Sequence, residues 1–301
     1  MMRMIENTMN EQIKINIKLD NGILKMLIRE ILKKGNEILI KNNIEENFLK
    51  TRILLSDVLN VEKEYLIIHD EEEVLREKET EFFKKIERLS KGEPLQYITN
   101  KAEFMNLEFY VDENVLIPQP DTEILVQNVI SLAKSKTKVK ILDLCTGSGA
   151  IGISLYNNLE NAEIFASDIS KKALEVAKKN AKTHNSKIEF ILSNLFDNIN
   201  LKFDIIVSNP PYIETTELEK LPLEVKNEPK LALDGGEDGL YFYKNIIKLA
   251  PQFLNKDGYL AVEIGYNQKE KVENIFKDSG FKNISIKKDL SNIDRIIYGQ
   301  F

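Results

Sequence analysis

The chain has 301 residues but a single cysteine, Cys145, and only two histidines, His69 and His184. One cysteine excludes a disulfide framework and a cysteine-rich zinc site. Two histidines leave a His-based metal cage, or a Ser-His-Asp triad, poorly supplied. No apolar run approaches the roughly 18 residues that a membrane-spanning helix needs. The first twenty residues, MMRMIENTMNEQIKINIKLD, lack the apolar centre of a secretory signal. The expectation is a soluble, cytoplasmic protein with no membrane partner. Basic excess is also missing. The formal net charge is −6, with −2 in residues 1–90 and −4 in residues 91–301. Neither part carries the positive field that neutralises phosphates, so no direct nucleic-acid binding is expected.

What is present can fold. Hydrophobic residues make up 43% and charged residues 30%, a balance that buries a core. The length suits two domains. Residues 21 to about 90 read as helical. Gly22 to Leu32, Phe48 to Leu59 and Glu77 to Leu89 each repeat apolar residues at three- and four-residue spacing. The acidic run Asp70-Glu71-Glu72-Glu73 reads as a solvated helix start. Ser90-Lys91-Gly92-Glu93-Pro94 marks a boundary. The alternation in residues 104–111, F-M-N-L-E-F-Y-V, suggests a short hairpin, and Pro118-Gln119-Pro120-Asp121 leads to a helix N-cap at Asp121. The expected layout is a helical domain over 1–91, a linker with a β-hairpin over 92–117, and a third segment, 118–301.

That last segment alternates strands and helices. Strands are expected at 139–142, 163–166, 188–191, 203–207, 260–264, 284–287 and 294–298, with helices at 122–134, 171–181, 241–253 and 269–278. The alternation predicts an α/β fold, a doubly wound seven-stranded sheet, mostly parallel, closed by an antiparallel hairpin.

Between the first of these strands and its helix lies Asp143-Leu144-Cys145-Thr146-Gly147-Ser148-Gly149-Ala150-Ile151-Gly152. Its G-S-G-A-I-G has the glycine spacing of a nucleotide-binding turn, and Asp168 ends the next strand, where a carboxylate takes ribose hydroxyls. Each such charged hydrogen bond contributes about 1.5–3 kcal/mol. NAD and S-adenosylmethionine both carry that ribose. Asp143 suits the ammonium and sulfonium of S-adenosylmethionine better than a pyrophosphate, which favours the methyl donor. The alternative for Asp143 is a carboxylate that caps its own loop. Cys145 has no partner in sequence that would make it a nucleophile.

The apolar run Ile205-Ile206-Val207 stops at Ser208-Asn209-Pro210-Pro211-Tyr212. A rigid loop at a strand's carboxyl end fits methylation of a planar NH2 group. Such a nitrogen is a poor nucleophile because its lone pair is delocalised. The Asn209 side-chain oxygen and the Pro210 carbonyl can accept its two N–H groups and aim the lone pair, while Tyr212 packs on the flat group. Orientation of this kind can supply about 7–11 kcal/mol.

With these motifs the chain resembles the class I S-adenosylmethionine-dependent methyltransferases, and within them the PrmC/HemK family of release factor glutamine-N5 methyltransferases. G-E-P-L-Q-Y-I at 92–98, E-F at 103–104, L-I-P-Q-P-D-T-E at 116–123, E-P-K-L-A-L-D-G-G-E-D-G-L at 228–240, E-I-G at 263–265 and D-R-I-I-Y-G at 294–299 lie in the family's order. The resemblance implies methyl transfer to the glutamine of the Gly-Gly-Gln loop of class I peptide chain release factors, with S-adenosylhomocysteine as co-product. It implies a helical N-terminal domain that helps hold the release factor; separately, a monomer is expected. It places Cys145, Thr146, Gly147, Ser148 and Gly149 along the cofactor, Asp168 on its ribose and Asn194 and Leu195 beside its adenine. Asn209, Pro210, Pro211 and Tyr212 hold the glutamine amide. Three positions depart from the family: Gln119 for Arg, Cys145 for Gly and Asn194 for Asp. An adenine-N6 or guanine-N2 methyltransferase is the rival reading, since the same acceptors serve a flipped base. An NAD-dependent oxidoreductase leaves N-P-P-Y without a role.

Overall fold

The computed structural model describes residues 25–134 and 136–301. Its backbone contacts divide the chain into two units, one ending at Ile98 and one running from Thr99 to Phe301.

The first unit contains α1 (Ile28–Lys41), α2 (Asn47–Leu59), α3 (Tyr65–Ile68), α4 (Arg76–Ser90) and all but the last residue of α5 (Leu95–Thr99). Gly22, Ile23 and Leu24, at the head of the expected first helix, lie outside the described residues. The three-and-four spacing turns Ile28, Ile31, Gly35 and Leu39 of α1 inward, and Leu54, Val58, Phe82 and Ile86 complete the core. At Gly35 a Cβ would lie 2.7 Å from the Phe82 ring and 3.0 Å from the Thr51 methyl, so only glycine lets α2 and α4 approach α1 this closely. The run Asp70–Glu73 differs from its reading as a helix start, because α4 begins at Arg76. It forms a turn whose Glu72 and Asp70 carbonyls accept the amides of Ile28 and Arg29, at 3.0 and 2.9 Å. The first amides of a helix have no intrahelical acceptor, and here the backbone of the acidic run supplies one.

In the second unit, β1 (Ala102–Phe104) and β2 (Leu107–Phe109) form the hairpin. Met105 and Asn106 turn it at φ 52° and 59°, the two-residue geometry that matches strand twist. Phe104 and Phe109 pack with Leu125, Val126 and Val129 of α6 (Thr122–Ala133). Asp121 does not cap α6 with its side chain. Its carboxylate is taken by Arg295 at 2.9 Å.

Seven strands follow: β3 (Val139–Leu144), β4 (Ala162–Asp168), β5 (Ile188–Leu192), β6 (Phe203–Ser208), β7 (Leu254–Glu263), β8 (Lys282–Lys288) and β9 (Asp294–Gln300). Their order is β5-β4-β3-β6-β7-β9-β8. β3 to β7 run parallel, and β9 pairs antiparallel with both β7 and β8. The interleaved helices are α7 (Ala150–Asn158), α8 (Lys171–Thr183), α9 (Leu223–Lys226), α10 (Lys230–Leu233), α11 (Tyr241–Phe253) and α12 (Lys269–Asp278). The doubly wound, mostly parallel sheet is the one expected. Strand alternation feeds two cores, as central parallel strands require. Leu142, Leu144, Ile206, Leu260 and Val262 meet Tyr243, Ile246 and Ile247 of α11. Ile141, Ile205, Val207 and Ala261 meet α6 and α7 on the other face.

β3 is the switch point. From it the chain steps outward to β4 and β5, then returns to place β6 on its other side. A crevice opens there, at the carboxyl ends of the strands, and that is where ligands bind in such sheets. The Ser208 hydroxyl donates to the Leu144 carbonyl at 2.7 Å and pins the two strand ends together.

Candidate active site

A cavity of about 520 Å³ fills the crevice. Cys145, Thr146, Gly147 and Ser148 from the loop after β3, Asp168 after β4, Asn194 and Leu195 after β5, and Asn209 and Pro211 after β6 all line it. Four loops distant in sequence thus converge because their strands end on the same sheet edge.

The loop after β3 is held from both sides. Cys145, Gly147 and Gly149 all have positive φ, at 64°, 54° and 83°. Gly147 donates its amide to Asp168 Oδ2 at 2.9 Å, and Ser170 donates to Asp168 Oδ1 at 2.8 Å. Asp168 is therefore held by two backbone amides and lines the cavity. Burial raises its pKa, against the lowering effect of those amides. Asn180, buried on α8, donates to the carbonyls of Ser148 and Tyr110, both at 2.9 Å, and accepts the Tyr110 amide at 2.8 Å. It ties the segment after the hairpin to the loop.

Asp143 is placed differently from its expected contact with the ligand. It shares strand parity with Val139 and Ile141, so its side chain points under α7 rather than into the crevice. The fully buried carboxylate accepts the Thr146 hydroxyl at 2.5 Å and the Gly152 amide at 2.9 Å. Burial pushes it up to about 7. This is the loop-capping alternative. Gly149 also stays off the wall, packed against Ala177 and Ile153. The Cys145 thiol lines the cavity, but burial and the nearby Asp168 and Asp143 push it up to about 12, so it stays protonated and is no nucleophile.

Beyond β6, the Asn209 amide nitrogen donates to Thr122 Oγ1 at 3.1 Å. Thr122 donates to Glu263 Oε2 at 2.6 Å. Glu263 ends β7 and is buried, which pushes it up to about 7. Pro210 and Tyr212 are not on the cavity wall. The Tyr212 hydroxyl points instead to Glu263 Oε1, at a long 3.4 Å. Gln268 braces the loop from behind. It donates to the carbonyls of Tyr212 and Gly239, at 2.9 and 3.2 Å, and accepts the Gly265 amide at 3.0 Å. A Cβ on Gly239 would lie 2.6 Å from the Tyr212 carbonyl oxygen, which explains the glycines in D-G-G-E-D-G.

The wall nearest Thr122 includes Gln119, whose amide donates to the Ile117 carbonyl at 2.9 Å. The Ile117 amide in turn donates to the buried Glu228 at 2.9 Å, and burial pushes Glu228 up to about 7. Thr122, Asn180, Glu228, Glu263 and Gln268 carry this scaffold, and none was assigned a site role from the sequence. Of these, Thr122, Glu228 and Glu263 fall within the segments 116–123, 228–240 and 263–265 that carry the family resemblance, and Glu263 also ends the apolar run Leu260-Ala261-Val262 at the carboxyl edge of a parallel strand.

Residues 30–99 match the PrmC N-terminal domain and residues 119–225 the Methyltransferase small domain. A release factor glutamine methyltransferase of Clostridium acetobutylicum is 40% identical over 278 residues, covering 90% of this chain and 98% of that protein. One from Fusobacterium nucleatum is 43% identical over 273 residues, covering 89% and 77%. The chain belongs to the release factor glutamine methyltransferase family. Among solved structures, the hMettl16 catalytic domain in complex with a MAT2A 3'UTR hairpin superposes with a TM-score of 0.52 at 17% identity, over 75% of this chain and 82% of that one. At that identity the likeness is one of fold alone. The Methyltransferase small domain match spans both the glycine loop and N-P-P-Y of this family member.

The cavity fits the cofactor that the family implies, S-adenosylmethionine. Among the described residues its charged lining consists of Glu113 and Asp168, with no Lys, Arg or His. An acidic wall favours a ligand bearing an ammonium and a sulfonium, and it opposes a pyrophosphate.

Proposed function

We infer that this chain transfers a methyl group from S-adenosylmethionine to the side-chain amide nitrogen of the glutamine in the Gly-Gly-Gln loop of class I release factors. The observation that carries the reading is the orientation of Asn209. Its NH2 end is occupied by Thr122, which leaves its oxygen for a ligand, and Asn209 lines the cavity. That oxygen accepts an N–H of a substrate amide and holds the nitrogen in position for attack.

Asp168 and the loop Cys145–Ser148 hold the cofactor, with Asn194 and Leu195 at its base. When bound, S-adenosylmethionine supplies an electrophilic methyl group carried on a cationic sulfur. The chain's own part is to orient the amide nitrogen, to keep the Asn209 acceptor pointed at an N–H group and to exclude competing nucleophiles. Cys145 is kept protonated by its surroundings. The Pro210 carbonyl, expected from the sequence as a second acceptor, is not on the cavity wall, so Asn209 is the acceptor on which this reading rests. The helical N-terminal unit holds the release factor, and the enzyme works as a monomer. Nucleic acid is not its substrate, in keeping with the net charge of −6 and the cation-free cavity lining.

The test supplies labelled cofactor together with release factor, DNA and rRNA, followed by mass spectrometry of the Gly-Gly-Gln peptide. One added methyl on the glutamine, with no label in nucleic acid, is expected. Label confined to nucleic acid overturns the assignment.

A further inference from the structure

An asparagine side chain has two ends of nearly equal size and opposite hydrogen-bonding character. Gripping a substrate NH2 requires the oxygen end. The reversed rotamer would set a donor against a donor and lose the acceptor. Something must fix the choice, and the surroundings of Asn209 contain it.

Thr122 Oγ1 has one proton. That proton goes to Glu263 Oε2, 2.6 Å away, because an ionised carboxylate can only accept. With its proton committed, Thr122 presents only lone pairs to Asn209. The Asn209 atom 3.1 Å from it must then be the donor, Nδ2. We propose that Thr122 and Glu263 are positioning residues that set the rotamer of Asn209 through this one-way chain of hydrogen bonds. The proposal rests on the reading that Asn209 accepts an N–H of the substrate amide.

The elements around the chain hold it in place. Thr122 is 5% exposed and opens α6, while Glu263 is 2% exposed and ends β7. The Tyr243 hydroxyl donates to the Glu263 backbone carbonyl at 2.9 Å and anchors that strand end. The titratable and charged groups that face the Glu263 carboxyl are Asp121, Arg295 and Tyr212. Arg295 is shared between Asp121 and Asp289, each at 2.9 Å, so it neutralises Glu263 only in part.

The chain also couples orientation to protonation. A protonated Glu263 can donate to Thr122, which frees the threonine proton to point at Asn209 and admits the reversed amide. Burial pushes Glu263 up to about 7, so kcat falls as pH drops below neutrality.

The experiment uses the full chain with S-adenosylmethionine and a purified release factor. Thr122→Val is expected to lower kcat on the order of tenfold to a hundredfold, with cofactor affinity and release-factor KM unchanged. Thr122→Ser restores most of that loss. Glu263→Gln and Thr122→Val both remove the acid limb of the kcat–pH profile. In an Asn209→Ala background, Thr122→Val causes no further loss, because it acts only through Asn209. Wild-type kcat in Thr122→Val, failure of Thr122→Ser to restore it, or an equal loss in the Asn209→Ala background overturns the proposal. Calorimetric cofactor binding reports folding. Should Thr122→Val not fold, Thr122→Ser and Glu263→Gln carry the test, and an acid limb retained in Glu263→Gln overturns it. Full activity of Asn209→Ala alone would instead sink the amide-gripping reading, so the two failures are distinguishable.

Discussion

Asn209 and Thr122 are 87 residues apart in sequence, yet the amide nitrogen of one lies 3.1 Å from the hydroxyl of the other. One opens the loop after β6 and the other begins α6, and the sheet's switch point brings them together. A side chain held at its nitrogen end leaves its oxygen for a ligand. The chemistry of the site follows from that separation of roles.

Asp168 is the charged acceptor on the cavity wall, held by two backbone amides. Asp168→Ala should weaken S-adenosylmethionine binding by about 1.5–3 kcal/mol for each ribose hydrogen bond lost, on the order of tenfold to a hundredfold. Asp168→Asn should lose less, since one acceptor remains. Isothermal titration calorimetry measures both. Unchanged affinity in Asp168→Ala contradicts the ribose contact.

Cys145 sits at φ 64°, where side chains other than glycine are strained. Cys145→Gly relieves strain of about 1–2 kcal/mol. It gives back about 0.4–1 kcal/mol through the entropy of the unfolded chain. A net stabilisation of about 0.5–1 kcal/mol is expected in urea unfolding, with the slope unchanged. A destabilised variant would mean that thiol packing outweighs the backbone strain.

Asp143, Glu228 and Glu263 are buried carboxyls each pushed up to about 7. Their ordinary values are 3.8 for Asp and 4.5 for Glu. A raised carboxyl binds its proton more tightly when folded, so its stabilisation is complete below the unfolded value and lost as pH rises through the folded one. Thermal stability should therefore decline between about pH 4 and pH 7, and Glu263→Gln should flatten the decline. Activity runs the opposite way, because Glu263 orients Thr122 only when ionised. A melting temperature that rises over the same window in the wild type contradicts the assignment of these three groups.

Much of this architecture was legible in the sequence because it rests on periodicity. Ile205-Ile206-Val207 and Leu260-Ala261-Val262 are continuous apolar runs, and central parallel strands buried on both faces require them. The helices at Tyr241–Phe253 and Lys269–Asp278 fall where the alternation of strands and helices placed them. The start of β7 at Leu254 was not legible, because Asn255-Lys256-Asp257-Gly258 has turn composition and Asp257 takes φ 60° within the strand. At the site, the glycine loop, Asp168 and Asn209 stood out as residue types at strand ends. Asp143 was misplaced because composition suggested a ligand contact while strand parity decides which way a side chain points. Asn180 and Gln268 left no signal and Thr122 showed only as part of the segment 116–123, since the roles of these residues depend on partners distant in sequence, such as the Tyr212 carbonyl, 56 positions from Gln268.

Single-turnover methyl transfer by Asn209→Ala on purified release factor, with cofactor affinity measured in parallel, tests the amide grip most directly. The expected result is a rate lower by about 10²–10³, the scale for loss of one positioned hydrogen-bonding group, with S-adenosylmethionine binding unchanged. A wild-type rate in Asn209→Ala would contradict the account, because no acceptor at that position would then be required.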